Sequence, residues 1–450
     1  MRFTASVGRF LGALSVVALT PGWALAQSDV AAEAGSLFQF NFSNPGAKSL
    51  GMGGALTGLG DDATGAWTNP AGLLNMSRPE VSFEFRSFDY STPFVKSGRA
   101  TGSPTNIGVD TVSTLVNGSA NNRANTLSFS SLVVPAGNWA VAAYVNQAAR
   151  FKATASTDGA FYSPNSTTTA RLRPVDGDLD LSVTTFGAAV SRRLSEQFYV
   201  GASVSAFRLS LDSQVLRYNL NQSSAAAILA PGGFYGTPLR STQNVIYRGT
   251  QDGTGTKVGG SVGVSWNASE QVRIGASYRR APRFDVAADA VSGAASVAPN
   301  TTLIDDTTHF KVPDVFSVGV MVRPVPELSL VVDFRNIRYS QLVEDFKVFD
   351  GSATSDEFKV DNGNEVRAGA EYVAGSVALR GGFWYDPDHR IRFEPKDGRF
   401  NADSIIYRPG DSVVHGSGGV GLLFRDFQVD FGVDYSKLVT TVAVSTVIRF

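Results

Sequence analysis

Serine and histidine side chains near the C-terminus are the first residues whose types could do chemistry. His415 begins a predicted strand with Ser412 and Ser417 nearby, whereas His309 and His389 fall in predicted loops. Hydrolysis by a serine needs a base and an orienting group in contact with it, and an alternating strand puts only Ser417 on the face of His415. Any serine-rich chain contains such pairs by chance, so we predict no catalytic residue and no enzymatic activity.

The adjacent acids Asp61 and Asp62 could cap the start of a short helix or ligate a divalent cation. An oxygen cage for such a cation needs further ligands, so capping is the favoured role. The chain has 0 cysteines, which excludes disulfides and thiolate metal sites. Because no phosphate loop or nucleotide fingerprint is present either, we predict no bound metal and no cofactor.

Aromatic side chains provide a different kind of site, one for a hydrophobic ligand. Phe38, Phe40 and Phe42 alternate with polar residues, and we predict that they line an internal apolar pocket. The alternative is that they only wedge the N-terminal part of the chain against its surroundings. Phe234 and Tyr235 lie in a predicted loop and offer apolar surface for an outer capture groove. Either surface would stabilise a ligand by about 25 cal/mol for each Å² of apolar area that it buries.

The elements that must position these side chains are strands in which apolar and polar residues alternate. The clearest example lies near the C-terminus, where one face carries Phe427, Val429, Phe431, Val433 and Tyr435. The opposite face carries Gln428, Asp430, Gly432, Asp434 and Ser436. A strand with one apolar face and two carboxylates on the other is hard to bury in a soluble core. The pattern favours a wall between lipid and a polar lumen.

About fourteen such strands follow one another along the chain, each long enough for a tilted strand to cross a membrane. They lie near residues 80–90, 125–134, 138–150, 179–192, 197–212, 257–267, 271–280, 312–323, 327–339, 364–374, 376–386, 412–424, 426–436 and 439–450. Short and long connections alternate between them, as do periplasmic turns and extracellular loops. A soluble β-sandwich would lack this asymmetry. We therefore predict an all-β fold, a transmembrane antiparallel β-barrel over residues 79–450.

The N-terminal part of the chain is predicted to comprise two further segments. Residues 1–26 have two arginines, a short apolar run and an Ala-Leu-Ala triplet, which are typical of a secretory signal peptide. Residues 27–78 show no period of two and are predicted to form a separate unit. The 39 basic and 40 acidic residues give no indication of nucleic-acid binding. The location predicted by these features is the bacterial outer membrane.

Several motifs together resemble the FadL-type outer-membrane transporters of long-chain fatty acids and other hydrophobic compounds. The N-terminal matches are Gly51-Met52-Gly53-Gly54-Ala55, Asp61-Asp62-Ala63 and Asn69-Pro70-Ala71-Gly72-Leu73. The barrel matches are Arg273 to Arg279, Val312-Pro313-Asp314, Val366 to Tyr372 and Arg380 to Pro387. One departure is an extension of about seven residues, beginning at Gln27, ahead of the usual start of the mature chain.

The resemblance implies a fourteen-stranded barrel whose lumen is closed by residues 27–78, the family's hatch. Ligand would be captured outside, passed to a luminal pocket and released sideways through the wall into the bilayer. Hatch motion accompanies ligand release in the family, so the resemblance implies a gating role for Asp61, Asp62, Asn69, Pro70 and Ala71. For Asn69 and Pro70, their residue types favour a structural role in holding a turn. The extension at Gln27 leaves the pocket's geometry open.

We predict passive uptake of hydrophobic molecules, either fatty acids or hydrocarbons. A barrel that serves as a structural or secretion-machinery partner is the alternative, and a polar porin is disfavoured because the long N-terminal segment would be superfluous. Other predicted partners are outer-membrane lipid and lipopolysaccharide, and the barrel-assembly machinery. The last is expected to contact the final strand, whose terminal Phe450 resembles an assembly signal. A monomer is expected.

Overall fold

The computed structural model describes residues 42, 44–172, 174–221, 234–292, 301–344, 355–396, 398 and 401–450. The predicted signal peptide, the extension that begins at Gln27, and Phe38 and Phe40 lie outside the described residues. Within them, no helix is both long enough and apolar enough to span a membrane.

The described residues are mostly strand. The strands are β1 Glu80–Gly98, β2 Leu115–Ala136, β3 Trp139–Thr157, β4 Phe161–Tyr162, β5 Ala170–Arg171, β6 Val175–Arg193, β7 Phe198–Tyr218, β8 Val245–Asn267, β9 Val272–Arg280, β10 Arg283–Ser292, β11 Thr301–Lys311, β12 Val315–Val325, β13 Leu328–Ile337, β14 Phe358–Lys359, β15 Gly363–Ala374, β16 Val377–Asp386, β17 Arg392–Phe393, β18 Val413–Leu423, β19 Phe427–Tyr435 and β20 Val439–Arg449. The short α-helices are α1 Ala47–Gly51, α2 Gly65–Thr68 and α3 Asp403–Ile406. Short 3₁₀ helices lie at Pro70–Asn75, Thr242–Asn244, Tyr339–Leu342 and Ser355–Glu357.

Fourteen of the strands close into one antiparallel barrel. Their order around the wall is β8, β7, β6, β3, β2, β1, β20, β19, β18, β16, β15, β13, β12 and β9, and β9 pairs again with β8. The first and last barrel strands are therefore neighbours, with Glu80 opposite Arg449. Near the short turns every barrel strand is paired on both sides, which is the condition for strands to cross a bilayer. All fourteen predicted strands are confirmed.

Alternation decides which side chains face the membrane. In β19, the apolar residues Phe427, Phe431 and Tyr435 are exposed on the outside, whereas Asp430 and Asp434 are buried inside. The other barrel strands present comparable outward side chains, which together form a continuous apolar belt. An outer surface of this kind is stable only against lipid.

Six strands are longer than predicted, because their upper halves, remote from the short turns, reverse this polarity. In β7, Val204 faces outward below the reversal, but above it Phe207 and Leu209 face inward while Arg208 and Asp212 face outward. The same change occurs at corresponding levels in β1, β3, β6 and β8. These halves rise above the apolar belt into an aqueous layer.

Much of the sequence predicted to be loop is therefore strand. The predicted loops 91–124, 151–178 and 213–256 contain the upper ends of strands β1 to β3 and β6 to β8. The predicted loop 281–311 contains the hairpin of β10 and β11, and β10 pairs with the upper part of β8. The strand prediction relied on apolar residues that face lipid. It therefore stopped where the outer face becomes polar, although the backbone pairing continues.

Candidate functional site

The N-terminal segment, residues 44–78, runs through the lumen in close backbone contact with the wall. Helix α1 packs against β18 and β19. A Cβ atom added to Gly51 would lie 3.0 Å from the Cα of Gly419. One added to Gly58 would lie 2.8 Å from the backbone of Gly319. Glycines on both sides thus allow the segment to approach the barrel at van der Waals distance.

The Asn-Pro-Ala motif lies on the opposite wall, formed by β7 and β8. The Asn69 side chain donates to the Val264 carbonyl at 3.0 Å and accepts from the Ala71 amide at 3.2 Å. Pro70 then begins the 3₁₀ turn Pro70–Asn75, where its missing N–H costs nothing. Side chains at Gly201 or Gly263 would overlap this motif. The motif both shapes a turn and fastens it to the wall.

Wall side chains hold the segment mainly by its backbone. Asp333, fully buried on β13, accepts hydrogen bonds from the Thr57 amide at 2.6 Å and the Gly58 amide at 3.3 Å. Arg367 donates to the Gly53 carbonyl at 2.8 Å. These contacts depend on the backbone conformation of the segment and not on its residue types, since any residue supplies the same carbonyl group and nearly any residue the same amide. Sequence motifs within the segment do not reveal these wall partners.

Asp61 and Asp62 make different contacts. The ammonium of Lys48 lies 2.9 Å from Asp61 and 3.4 Å from Glu371 on β15. Burial opposes ionisation of Asp61, but Lys48 outweighs it and lowers its pKa. Asp62 accepts from the Thr64 amide at 2.9 Å, and burial raises its pKa. Asp62 is thus not the N-cap of α2, which is Thr64.

No group of three or more His, Cys, Asp or Glu side chains suited to a metal ion occurs among the residues described above. The contacts of the two acids are structural, since Asp61 pairs with Lys48 and Asp62 accepts a hydrogen bond within a local turn.

The inner wall has two chemically different sides. The first, which we call the apolar arc, consists of inward side chains from the upper halves of β3, β6 and β7. Its members are Phe151, Leu179, Leu181, Val183, Phe207, Leu209 and Leu211, all buried. They belong to one hydrophobic cluster that also includes Phe42 and Trp67 of the N-terminal part.

The second side, which we call the charged arc, is formed by side chains of β13, β15, β16 and β19. Its members are Asp333, Arg335, Glu365, Arg367, Glu371, Arg380, Asp430 and Asp434. Several form tight ion pairs, such as Arg380 with Glu371 and Asp430, each at 2.7 Å. Charges buried at this density require such partners.

Between the charged arc and β1 lies a small cavity lined by Phe88, Trp384 and His415, together with backbone of the N-terminal segment. It measures about 30 Å³, room for little more than a water molecule. The Trp384 and His415 rings stack at 3.8 Å, and Asp434 accepts from Trp384 at 2.9 Å. The lumen is therefore closed at this point.

The serines near His415 are engaged elsewhere. His415 Nδ1 lies 2.6 Å from Asp434. The Ser417 hydroxyl accepts from the Gly53 amide at 2.8 Å, and that of Ser412 accepts from the Asp388 amide at 3.1 Å. These contacts serve to position the N-terminal segment and a loop, which is a structural use of both serines.

The wall is interrupted between β2 and β3. Their pairing runs only from Ala136 opposite Trp139 to Phe129 opposite Asn146. Above it, residues 115–128 and 147–157 pair on their other sides but not with each other. We call this interruption the wall gap. Its lower end coincides with bulges in β1–β2 and β3–β6 pairing, and with the level at which outer polarity reverses.

Two side chains organise the wall gap. Gln147 donates to the Ala149 carbonyl at 2.7 Å and the Val183 carbonyl at 3.1 Å, which holds the bulge in β3. Tyr90 reaches from β1 and donates to the Arg150 carbonyl at 2.7 Å, with its ring 5.1 Å from that of Phe151. The gap is thus lined from inside by the apolar arc.

Three glycines that lie in or beside barrel strands, Gly137, Gly187 and Gly201, have roles away from the wall gap. Gly137 forms the turn between β2 and β3, with a φ of 60°. Gly187 accommodates the ring of Tyr144, and Gly201 accommodates Pro70. Because the gap results from unpaired backbones and an inserted residue at Ala148, no single residue type marks it.

Phe234 and Tyr235 lie among the extracellular loops in contact with Phe161. Their rings are 5.8 Å and 5.7 Å from that of Phe161, which is buried. Arg171 stacks its guanidinium 4.8 Å above Phe161 and donates to the Phe234 carbonyl at 2.8 Å. This cluster joins two loops, the β3–β6 and β7–β8 connections, and the sequence analysis did not identify Arg171 as a member.

A closed fourteen-stranded barrel with an apolar outer belt and a segment in its lumen defines the class of outer-membrane β-barrel channels. The family model described as "Outer membrane protein transport protein (OMPP1/FadL/TodX)" matches residues 24–393. The chain belongs to that family and lies in the outer membrane. The family is one of transport proteins, which agrees with the prediction that the chain is not an enzyme.

Solved structures share the fold at low sequence identity. A Pseudomonas aeruginosa FadL homologue is 15% identical with a TM-score of 0.62, covering 93% of this chain and 99% of its own. The CymD monoaromatic hydrocarbon channel is 17% identical with a TM-score of 0.57, covering 92% and 99%. The Ralstonia pickettii toluene transporter TbuX is 16% identical with a TM-score of 0.57, covering 91% and 99%. No curated protein sequence matches the chain.

Proposed function

We propose that the protein takes up hydrophobic molecules passively and releases them sideways into the membrane through the wall gap. The observation that carries this proposal is the position of the gap, which lies beside the apolar arc and at the upper edge of the apolar belt. Leu127, at the gap on β2, is 62% exposed. A ligand that leaves the apolar arc through the lower end of the gap, beside Leu127, would meet the upper edge of the hydrocarbon layer.

The apolar arc provides the thermodynamic basis for this route. A ligand that replaces water against such side chains gains about 25 cal/mol per Å² of apolar surface buried. The polar outer face of the same strands separates the ligand from the lipopolysaccharide layer. Related folds that are described as a monoaromatic hydrocarbon channel and a toluene transporter support ligands of this class.

We assign the ends of the route from the same residues that the sequence singled out. Phe234 and Tyr235 would capture ligand among the loops. Phe38, Phe40 and Phe42 would line the inner pocket, supported by the burial of Phe42 beside Tyr339, with rings 6.2 Å apart.

Residues 27–78 would act as the hatch, and the contacts of Asp61, Asp62, Asn69, Pro70 and Ala71 would set how firmly it is held. Three further partners belong to the proposal. Lipid contacts the apolar belt, lipopolysaccharide contacts the polar outer face above it, and the assembly machinery contacts the strand that ends at Phe450. The protein would act as a monomer.

A reversible cross-link tests the exit. Thr126 and Gln147 face each other across the wall gap, with Oγ1 and Oε1 3.4 Å apart. The chain has 0 cysteines, so Thr126→Cys with Gln147→Cys introduces the only thiols. Oxidised cells should lose uptake of radiolabelled toluene or fatty acid, and reduction should restore it. The matched control is each single cysteine variant under the same oxidant.

Two outcomes would count against the proposal. Full uptake through a cross-linked barrel would remove the wall gap from the route. Equal uptake in cells with and without the gene would remove the transport function, and a stable co-purifying protein would then favour a structural or secretion-machinery role.

A further inference from the structure

Three buried side chains at the upper end of the charged arc carry polar atoms for which the described part of the chain provides no hydrogen-bond partner. These atoms are Arg335 Nη1, Tyr339 Oη and Glu365 Oε1. Relative exposure of the three residues is 1%, 0% and 0%. Buried polar groups in native proteins are nearly always hydrogen-bonded. Three such atoms on neighbouring side chains therefore indicate a binding site for a polar group of another molecule. We call them the orphan triad.

The remaining atoms of these side chains are occupied, which defines what the triad can still bind. Glu365 Oε2 accepts from Arg367 Nε at 2.9 Å and lies 3.4 Å from Arg335 Nη1, without hydrogen-bond geometry. Arg335 Nη2 donates to the Phe42 carbonyl at 3.1 Å. What is left is an acceptor on Glu365, a donor on Arg335 and a hydroxyl on Tyr339.

The Tyr339 ring is held in position on several sides. It stacks on His389 at 4.3 Å between ring centroids and lies 6.2 Å from the Phe42 ring. A Cβ atom added to Gly363 would lie 2.8 Å from the ring, so the glycine provides its space. Burial, followed by the nearby carboxylates of Glu365 and Asp386, raises the pKa of Tyr339 well above its usual value. Its hydroxyl therefore stays protonated and can donate.

Beyond the charged arc, His389 and Asp386, the surroundings of the triad are apolar. Phe42, Tyr339 and Ile337 belong to the same hydrophobic cluster as the apolar arc. A molecule in the apolar lumen could thus place one polar end at the triad and keep the rest of its surface against hydrocarbon side chains.

We propose that the orphan triad binds the uncharged hydroxylic head group of a transported amphiphile: an alcohol, a phenol or a protonated carboxylic acid. Such a group donates to Glu365 Oε1 while accepting from Arg335 or Tyr339. A carboxylate would place two anions together with no proton between them, and a pure hydrocarbon would leave all three atoms unpaired. This inference rests on the proposed transport function and narrows its substrate class.

Matched ligands test the proposal. Binding of toluene, benzyl alcohol and benzoate is measured by calorimetry on the full barrel in lipid nanodiscs at neutral pH. We expect benzyl alcohol to bind at least about tenfold more tightly than toluene or benzoate, since an unmade buried hydrogen bond costs about that factor. Tyr339→Phe keeps the ring and should reduce the preference severalfold. The control is Tyr144→Phe, whose hydroxyl already has a partner in Ser205 at 2.7 Å.

Equal affinities for toluene and benzyl alcohol, or an undiminished preference in Tyr339→Phe, would overturn the inference while leaving transport intact. Failure of all three ligands to bind would instead contradict the proposed function. Should Tyr339→Phe fail to assemble, a crystal structure of the unmodified protein with 4-bromobenzyl alcohol decides. The bromine signal and the hydroxyl oxygen are expected at the triad, and a ligand whose hydroxyl lies elsewhere would refute the proposal.

Discussion

The apolar arc and the charged arc face the same lumen but are built for different tasks. The charged arc is rich in ion pairs and in side chains that bond the backbone of the N-terminal segment, such as Asp333 and Arg367. The apolar arc offers the segment mostly dispersion contacts and lies beside the wall gap. The contrast indicates two separate roles. Hydrogen bonds and ion pairs on one side hold the segment in place, and non-directional apolar contacts on the other side allow a ligand to move along the wall.

The strongest way to break this contrast is to place a charge in the apolar arc. Leu209→Asp puts a carboxylate at a fully buried position among the apolar side chains of the arc. We expect uptake to fall more than tenfold, because a ligand would have to pass an unpaired charge. Ser210→Asp, on the outer face of the same strand, is the matched control and should transport normally. The measurement is labelled-toluene uptake at equal surface level; normal uptake by Leu209→Asp would show that the arc is not the route.

A second variant tests the charged arc as an anchor. Asp333→Ala removes the acceptor of the Thr57 and Gly58 amides. We expect hydrogen exchange at residues 55–60 to accelerate about tenfold or more, since each lost buried bond costs about 1–3 kcal/mol. The control is Asp426→Ala at the exposed short turn, where the carboxylate only pairs with Arg78. Unchanged exchange in Asp333→Ala would mean that the glycine contacts alone hold the segment.

The smallest expected effect concerns the glycine contacts themselves. An added methyl at Gly263 would overlap the Asn69 side chain, whereas one at Gly381 would meet no atom within 4 Å. Gly263→Ala should therefore lower stability by about 1–3 kcal/mol, as overpacking does, and Gly381→Ala should not. Thermal unfolding followed by the gel shift of the heated barrel compares the two. Equal melting of both variants would contradict the close packing of segment and wall.

Period-two alternation was enough to predict all fourteen barrel strands, since lipid on one side and a polar lumen on the other impose it directly, as in Phe431 beside Asp430. It did not predict the upper halves of six strands. From Phe207 onward in β7, for example, residues still alternate, but the apolar side chains face the lumen and the polar side chains face outward. The residue types of Asn69 and Pro70 predicted a turn, and the structure has one at Pro70–Asn75; their role in gating stays a proposal. Their wall partners and the wall gap depend on which strands meet in space, and neither leaves a local signal in the sequence.

The pairing of β1 with β20 also constrains how the molecule is made. Glu80 and Arg449, which form an ion pair at 3.1 Å, are separated by 369 positions in the chain. Contacts between such distant residues form late, since a long loop must first be closed. The barrel is therefore closed only when β1 and β20 have paired. The N-terminal segment, residues 44–78, lies inside that wall, so its full enclosure also depends on the pairing of the two terminal barrel strands.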